Sequence, residues 1–322
     1  MLFTLVLPAA LRPDGMPPAA SGRDFALDRL VSRLEVSREW VAGPRSEGIA
    51  HRAWLARECG LPHDPPATGP YLWRAAGGHL PPGAWVAQCD PARLRPTGKG
   101  FLLTPAPARD AAEEEARFRA AGEAAAERGF SIERRDGRWF LLSPSPLRIE
   151  CAPLEAALGR ALPARLPLGP DARSWRILAD DIGMRWHALG EAPDALDGAD
   201  GLWLHGGGTW QPPAARLARE VCGAEPFLRA LQEAAGSAPC AREYLELAGA
   251  GDAPDASPDA PDRLAARIED FLARARSRGA REVEIVACGS RRVRVLRRRP
   301  LLRAFFARRA DSARTLAEAP SP

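Results

Sequence analysis

Gly201-Leu202-Trp203-Leu204-His205-Gly206-Gly207-Gly208-Thr209-Trp210 is the stretch around which this chain of 322 residues is organised. An apolar run of strand length ending in three glycines predicts a buried central strand followed by a Gly-rich turn, where backbone comes close to a neighbour or a ligand. On its N-terminal side, Asp171 precedes a helix predicted from about Arg173 to Leu189, with Trp175, Leu178, Ile182 and Trp186 on its apolar face at spacings of three and four. On its C-terminal side, Pro226 at a first-turn position opens a helix bearing Phe227, Leu228 and Leu231.

Further upstream, Phe130 to Arg134 and Trp139 to Leu142 flank Asp136-Gly137, the pair that a two-residue hairpin turn favours. The Ala/Glu/Arg-rich segment from Asp110 to Arg128 predicts a helix stopped by Gly129. Ala84 to Cys89 reads as a strand turned by Asp90-Pro91, with Gly100 to Leu103 as the next. Leu61 to Gly83, rich in Pro and Gly and holding His63 and His79, reads as irregular surface structure. Cys151 to Pro170 gives a short helix and a Pro-rich connection.

The apolar run within Met1 to Pro8 reads as a first buried strand, and Leu11 to Ala20 as a Pro-rich loop. A helix capped by Ser21 or Asp24 follows, with Phe25, Leu27, Leu30, Val31 and Leu34 on one face. Ser46 caps a second helix through Ile49, Ala53 and Trp54, which Gly60 ends. At the other end come a helix from Asp262 to Ser277, the strands Val283 to Val286 and Val293 to Val295 around Gly289-Ser290, and a last element, Leu301 to Arg309, with Phe305 and Phe306. The expected fold is α/β, a mixed sheet with helices on its faces and β-hairpins. The expected organisation is a main domain over 1–248, an Asp/Pro/Ala-rich linker over 249–262, and a basic helix-hairpin-helix segment over 263–322 packed on the main domain.

Hydrophobic residues make up 46% of the chain, enough for a sizeable core, and the formal net charge is +4. Lys99 is the only lysine, so 44 of the 45 basic residues are arginine. From Arg276 to Arg309, 12 arginines stand against Glu282 and Glu284, which makes that piece +10 and the rest −6. Six cysteines are scattered without a C-x-x-C pair and read as reduced thiols of a cytoplasmic protein. No window approaches the roughly 20 apolar residues of a membrane helix, and no membrane partner is expected.

The Gly206-Gly207-Gly208 turn is the first candidate for a ligand, since glycine lets backbone amides approach an anion. It lacks the G-x-G-x-x-G spacing, and Pro212-Pro213 interrupts the helix a phosphate would want there. His205 just before it is a candidate ligand or general base, with His187 on the preceding helix the nearest histidine to join it and Asp181 one or two turns earlier. These do not make a metal-ligand spacing, so neither metal nor cofactor is expected. No G-x-S-x-G elbow is present. Arg291 to Arg299 suit phosphate contacts with nucleic acid, but Arg292 and Arg294 alternate with Val293 and Val295 as on the solvent face of an edge strand.

Several of these segments resemble the RpfE-type bacterial regulatory proteins, often labelled cofactor-independent phosphoglycerate mutase-like. The residues that carry the resemblance are Trp139-Phe140-Leu141, Pro167-Leu168-Gly169-Pro170-Asp171-Ala172-Arg173-Ser174-Trp175 and Leu202 to Gly208, with Cys89 to Leu94 and Leu301 to Arg309 in support. Departures stand at Asp180-Asp181-Ile182-Gly183-Met184, at His205 where the family has Trp, and at Arg93 where it has His. The Ser or Thr nucleophile and two-metal Asp/His set of the mutases has no counterpart here, so the resemblance implies a fold rather than an activity.

The leading expectation is therefore a non-catalytic regulatory or binding protein that meets a protein partner or a small anionic ligand near Trp203, His205, Gly206, Gly207, Gly208 and Trp210, with His187 and Asp181 nearby. The alternative is a phosphoryl-transfer enzyme with the glycines as anion cradle and His187 or His205 as base. A third reading is nucleic-acid binding through Arg291 to Arg299.

Overall fold

The computed structural model describes residues 1–11, 34–62, 64–98, 100–107, 109–159, 166–189, 199–249 and 260–298. It divides into two compact units, residues 1–63 with 213–322 and residues 64–212. Both combine sheet and helix, so the α/β expectation holds. The expected Ser21 or Asp24 helix, most of the 249–262 linker and the Leu301 to Arg309 element lie outside the described residues.

The first unit is built on a six-stranded mixed sheet. Its strands are β1 (Leu2–Leu7), β2 (Leu34–Val41), β8 (Glu220–Cys222), β9 (Tyr244–Leu247), β10 (Glu282–Cys288) and β11 (Arg292–Arg298), in the order β2-β11-β10-β1-β9-β8. The four strands from β10 to β8 run parallel, and β11 and β2 complete the sheet antiparallel. Side chains alternate along β1. Phe3, Leu5 and Leu7 pack with Ile285 and Ala287 against Leu264, Ile268 and Phe271 of the long amphipathic helix Ala260–Ser277. Thr4 and Val6 face the other way, where the helices α1 (Ala50–Glu58) and Pro226–Ala235 bury Trp54, Leu55, Phe227, Leu228 and Leu231.

The second unit holds a five-stranded antiparallel sheet centred on β3 (Trp85–Thr97). One edge of β3 pairs with β7 (Ala199–Thr209); the other pairs with β6 (Arg138–Ser143) and then with β4 (Gly100–Pro105). β5 (Ser131–Arg135) continues from β6 through the expected hairpin, whose turn residues Asp136 and Gly137 have φ of 49° and 70°. On one face, Ala111–Ala126 and Ala172–Leu189 bury Ala121, Ala124, Trp175, Leu178, Ile182 and Trp186 against Trp85, Ala87, Trp139, Leu202 and Leu204. On the other, Trp203 joins Ala92, Leu103 and Ala157, and Trp73 meets the edge of Phe140 at 5.4 Å.

Several expectations are corrected. Asp90-Pro91 does not turn the chain, because β3 runs through it; Pro91 falls between the residues that pair with β6 (85–88) and with β4 (92–97), where that edge has no ladder for the missing N–H to break. Leu61 to Gly83 is not all irregular: Gly69–Ala75 is a helix, with Pro70 in its first turn. Ser46 ends a short 3-10 turn over Pro44–Ser46, and Ile49 holds the N-cap of α1. Leu34 starts β2 rather than closing a helix face. β11 is not an edge strand, since β2 covers it. The Gly-ended strand is not central, and its glycines are not a turn. They lie within β7, where the register shifts so that Ala87 faces two residues, a β-bulge.

Candidate functional site

The glycines of β7 are required by close packing. A Cβ on Gly206, whose φ is 62°, would stand 2.0 Å from Thr68 Oγ1; one on Gly207 would stand 2.2 Å from the Trp85 ring, and one on Gly208 would stand 2.5 Å from Ala67 Cβ. Where the sequence left a neighbour or a ligand open, protein atoms stand against these glycines, which are themselves half-buried. Trp203 is likewise built in, 6% exposed with its indole N–H donating to Ala152 O at 3.1 Å. His205 is 5% exposed, and its Nε2–H donates to Asp90 Oδ2 at 2.7 Å. Trp210 carries the Arg74 guanidinium 4.2 Å above its ring.

The other two expected members are elsewhere. Successive β7 side chains point to opposite faces, so the helix packed on Leu202 and Leu204 lies across the sheet from His205. His187 is exposed on that helix, and Asp181 pairs there with Arg185 at 3.1 Å and Arg128 at 3.3 Å. The Arg185 hydrogen bond, with help from Arg128, holds the Asp181 carboxyl below its ordinary value. Thus the structure gathers Trp203, His205 and the glycines along one strand, and it does not bring His187 or Asp181 to them.

The basic C-terminal strand is also committed. Arg292 and Arg294 reach across to Glu39 on β2, at 2.5 and 3.0 Å, and Arg297 turns onto Glu284. Burial opposes the Glu39 charge, but the bonds to Arg292 and Arg294 outweigh it and keep its carboxyl below the ordinary range.

A cavity of about 470 Å³ lies on the first unit's sheet, on the Thr4 side. Arg38 reaches into it from β2, Arg297 from β11 and Glu284 from β10. Arg242 comes from just before β9, Arg216 from the segment before β8, and Glu58 from the last turn of α1. A glutamate at a helix C-terminus meets the negative end of the helix dipole, and Arg242 Nη2 sits directly on its carboxylate. Glu284 is fully buried. An unpaired charge there would cost several kcal/mol, and it is held by Arg297, whose Nε and Nη2 donate to Oε1 at 2.8 and 2.6 Å. Thr4 links the two halves, donating to Glu284 Oε2 at 3.4 Å and accepting from Arg242 Nε at 3.1 Å.

This arrangement leaves donors over. Arg38 is 3.6 Å from both Glu58 and Glu284, beyond hydrogen-bond reach, and Arg216 Nη2 donates to a backbone oxygen, Arg219 O at 3.5 Å, rather than to a carboxylate. Four guanidinium groups against two carboxylates give the lining two surplus positive charges. The site sits at the amino ends of the parallel strands, away from the carboxyl-end crevice usual for open α/β sheets. Arginine side chains, not helix N-termini, therefore supply its field. Sequence reasoning missed it because its charged residues come from six separate segments and none belongs to a motif. The one signal available was a glutamate buried in the apolar run Val283-Glu284-Ile285-Val286.

Other chemistry is confined. Burial, with the Glu58 charge adding to it, pushes the Cys59 thiol up to about 12, and burial raises Cys89 and Cys288 as well. No group of three or more His, Cys, Asp or Glu side chains suited to a metal occurs among the described residues. Nor is any described helix long and apolar enough to cross a membrane.

No protein-family model matches the sequence, and no curated protein is significantly similar to it. Among solved structures, the chain is similar to the PH0037 protein from Pyrococcus horikoshii, with a TM-score of 0.45 and 12% identity over 92% of this chain and 86% of that one. It is also similar to the cofactor-independent phosphoglycerate mutase from Thermoplasma acidophilum DSM 1728, with a TM-score of 0.38 and 12% identity over 92% of this chain and 89% of that one. A mutase of the kind named by the sequence resemblance is thus among the structures this chain is similar to, at a level that carries no chemistry from one to the other.

Proposed function

We propose that this is a non-catalytic binding protein, of the regulatory kind that the RpfE-type resemblance implies, acting in the cytoplasm and recognising a small anionic ligand in the arginine-lined cavity of its first unit. The observation that carries the reading is the surplus of guanidinium groups there, four arginines around two carboxylates, with Arg38 beyond hydrogen-bond reach of both. Such groups bind and orient. Among the described residues the lining supplies no imidazole or thiol to act as base or nucleophile, and its one hydroxyl, Ser37 Oγ, already donates to Val295 O at 3.0 Å. The proposed ligand site therefore belongs to the first unit, whereas the glycine strand belongs to the second.

Titration calorimetry of the full chain with inorganic phosphate tests this. Saturable binding is expected, weakened about tenfold or more in Arg38→Gln, as follows from losing one charge-assisted contact. Binding unchanged in both Arg38→Gln and Arg216→Gln would overturn it.

The phosphoryl-transfer reading is favoured by one feature, the 2.7 Å Asp90–His205 pair. It predicts phosphomonoester turnover that His205→Ala abolishes. The binding reading expects only background hydrolysis, the same in both proteins.

A further inference from the structure

Charge and shape inside the cavity narrow the ligand further, granted the binding reading above. We propose that the ligand is a compact aliphatic dianion, either a phosphomonoester or a dicarboxylate, whose two charges match the two surplus positive charges of the lining.

The groups already engaged define what the cavity leaves for a ligand. Glu284 takes Nε and Nη2 of Arg297, and Glu58 takes Nη2 of Arg242. Arg38 makes no hydrogen bond to either carboxylate, and Arg216 donates from Nη2 to the backbone oxygen of Arg219 at 3.5 Å rather than to Glu58 or Glu284. A monoanion leaves one positive charge uncompensated. A third negative charge has to approach Glu58 or Glu284, which are fixed in place by Arg242 and Arg297, and like charges at that distance repel strongly in a partly buried site. The volume, about 470 Å³, lies in the range of small-molecule sites. The apolar part of the wall is Leu2, Ala215 and Ala241, so no lining ring offers a face for a nucleobase to stack on. A short saturated ligand with charged ends fits these walls, and a nucleobase finds only guanidinium planes to stack on, the same groups its phosphate needs.

Calorimetric titration of the full chain with methyl phosphate, succinate, acetate, lactate and AMP tests the proposal, with circular dichroism to confirm that each variant is folded. Expected results are that methyl phosphate or succinate binds at least about tenfold more tightly than acetate and lactate, consistent with a second desolvated charge contact, and that AMP binds no more tightly than methyl phosphate. The tighter of methyl phosphate and succinate identifies the class. In Arg38→Gln the surplus falls to one positive charge, and the preference for dianion over monoanion is expected to shrink toward unity; Arg216→Gln is the second variant for the same readout. Acetate and succinate binding equally well, with both weakened by Arg38→Gln, would overturn the dianion proposal and leave the binding reading standing. AMP binding far more tightly than methyl phosphate would overturn the aliphatic part. Failure of every probe to bind removes the binding reading itself.

Discussion

Gly207→Ala is expected to destabilise the second unit through a single contact. The new Cβ would stand 2.2 Å from Trp85 Cζ2 and 2.8 Å from Cη2, whereas ordinary contact begins near 3.4 Å, so ring or strand must shift by about 1 Å. Trp85 is 2% exposed and packed among Ala87, Trp139 and Leu204, so the shift propagates through close-packed neighbours. Overpacking of that kind costs about 1–3 kcal/mol. Gly201 is the internal control: it lies in the same strand, no atom of the described residues stands within 4 Å of its added Cβ, and alanine there is expected to be neutral or to gain about 0.5 kcal/mol by stiffening the unfolded chain.

Urea unfolding followed by tryptophan fluorescence reads the difference, as a lower midpoint with an unchanged slope. Seven of the nine tryptophans lie between residues 64 and 212, so the signal reports this unit. In Gly207→Ala/Trp85→Phe the smaller ring vacates the clash, and the double variant is expected to be about 1 kcal/mol more stable than the sum of the single effects. A Gly207→Ala protein as stable as wild type, or a Gly201→Ala protein equally damaged, would refute the packing account and return the glycines to the role of a ligand cradle.

Two further outcomes follow from buried groups. Asp200 is opposed by burial, but the Arg93 hydrogen bond and the charges of Arg109, Arg93 and Arg117 outweigh that and lower its carboxyl from 3.8. A carboxyl depressed in the folded state contributes stability that is present above its ordinary value and lost as the pH falls below it. Asp200→Asn is therefore expected to lower stability at neutral pH and to flatten the acid limb of a stability-against-pH curve, and an unchanged acid limb would contradict this. Among the thiols, Cys222 is exposed, while Cys59 is buried and pushed up to about 12. Ellman's reagent at pH 8 should thus label Cys222 quickly and leave Cys59 unlabelled until the chain unfolds, with peptide mapping as the readout. Early labelling of Cys59 would contradict the closed packing around α1.

The sequence revealed what local periodicity and turn chemistry determine. The 3.6-residue spacing of Trp175, Leu178, Ile182 and Trp186 marks a helix face that is buried where expected, and Asp136-Gly137 adopts the left-handed pair a tight hairpin requires. What it hid are features set by partners far along the chain. The strand Leu34 to Val41 has four exposed residues in its middle, so no apolar alternation announces it, and it exists because β11 pairs with it. The three glycines read as a turn because glycine signals both freedom and close approach, and only the positions of Thr68, Trp85 and Ala67 decide between them. The cavity was hidden most completely. Arg38, Glu58, Arg216, Arg242, Glu284 and Arg297 converge through sheet order, which composition does not encode; in a chain with 44 arginines, no single one stands out.

The most direct test of the cavity is crystallographic. Crystals of the full chain soaked in tungstate, a dianion with a strong anomalous signal, are expected to show an anomalous peak within contact distance of Arg38, Arg216 and Arg242, and to lose it in Arg216→Gln crystals. An ordered peak elsewhere with an empty arginine cavity, or a cavity peak that survives Arg216→Gln and Arg38→Gln alike, would contradict the account.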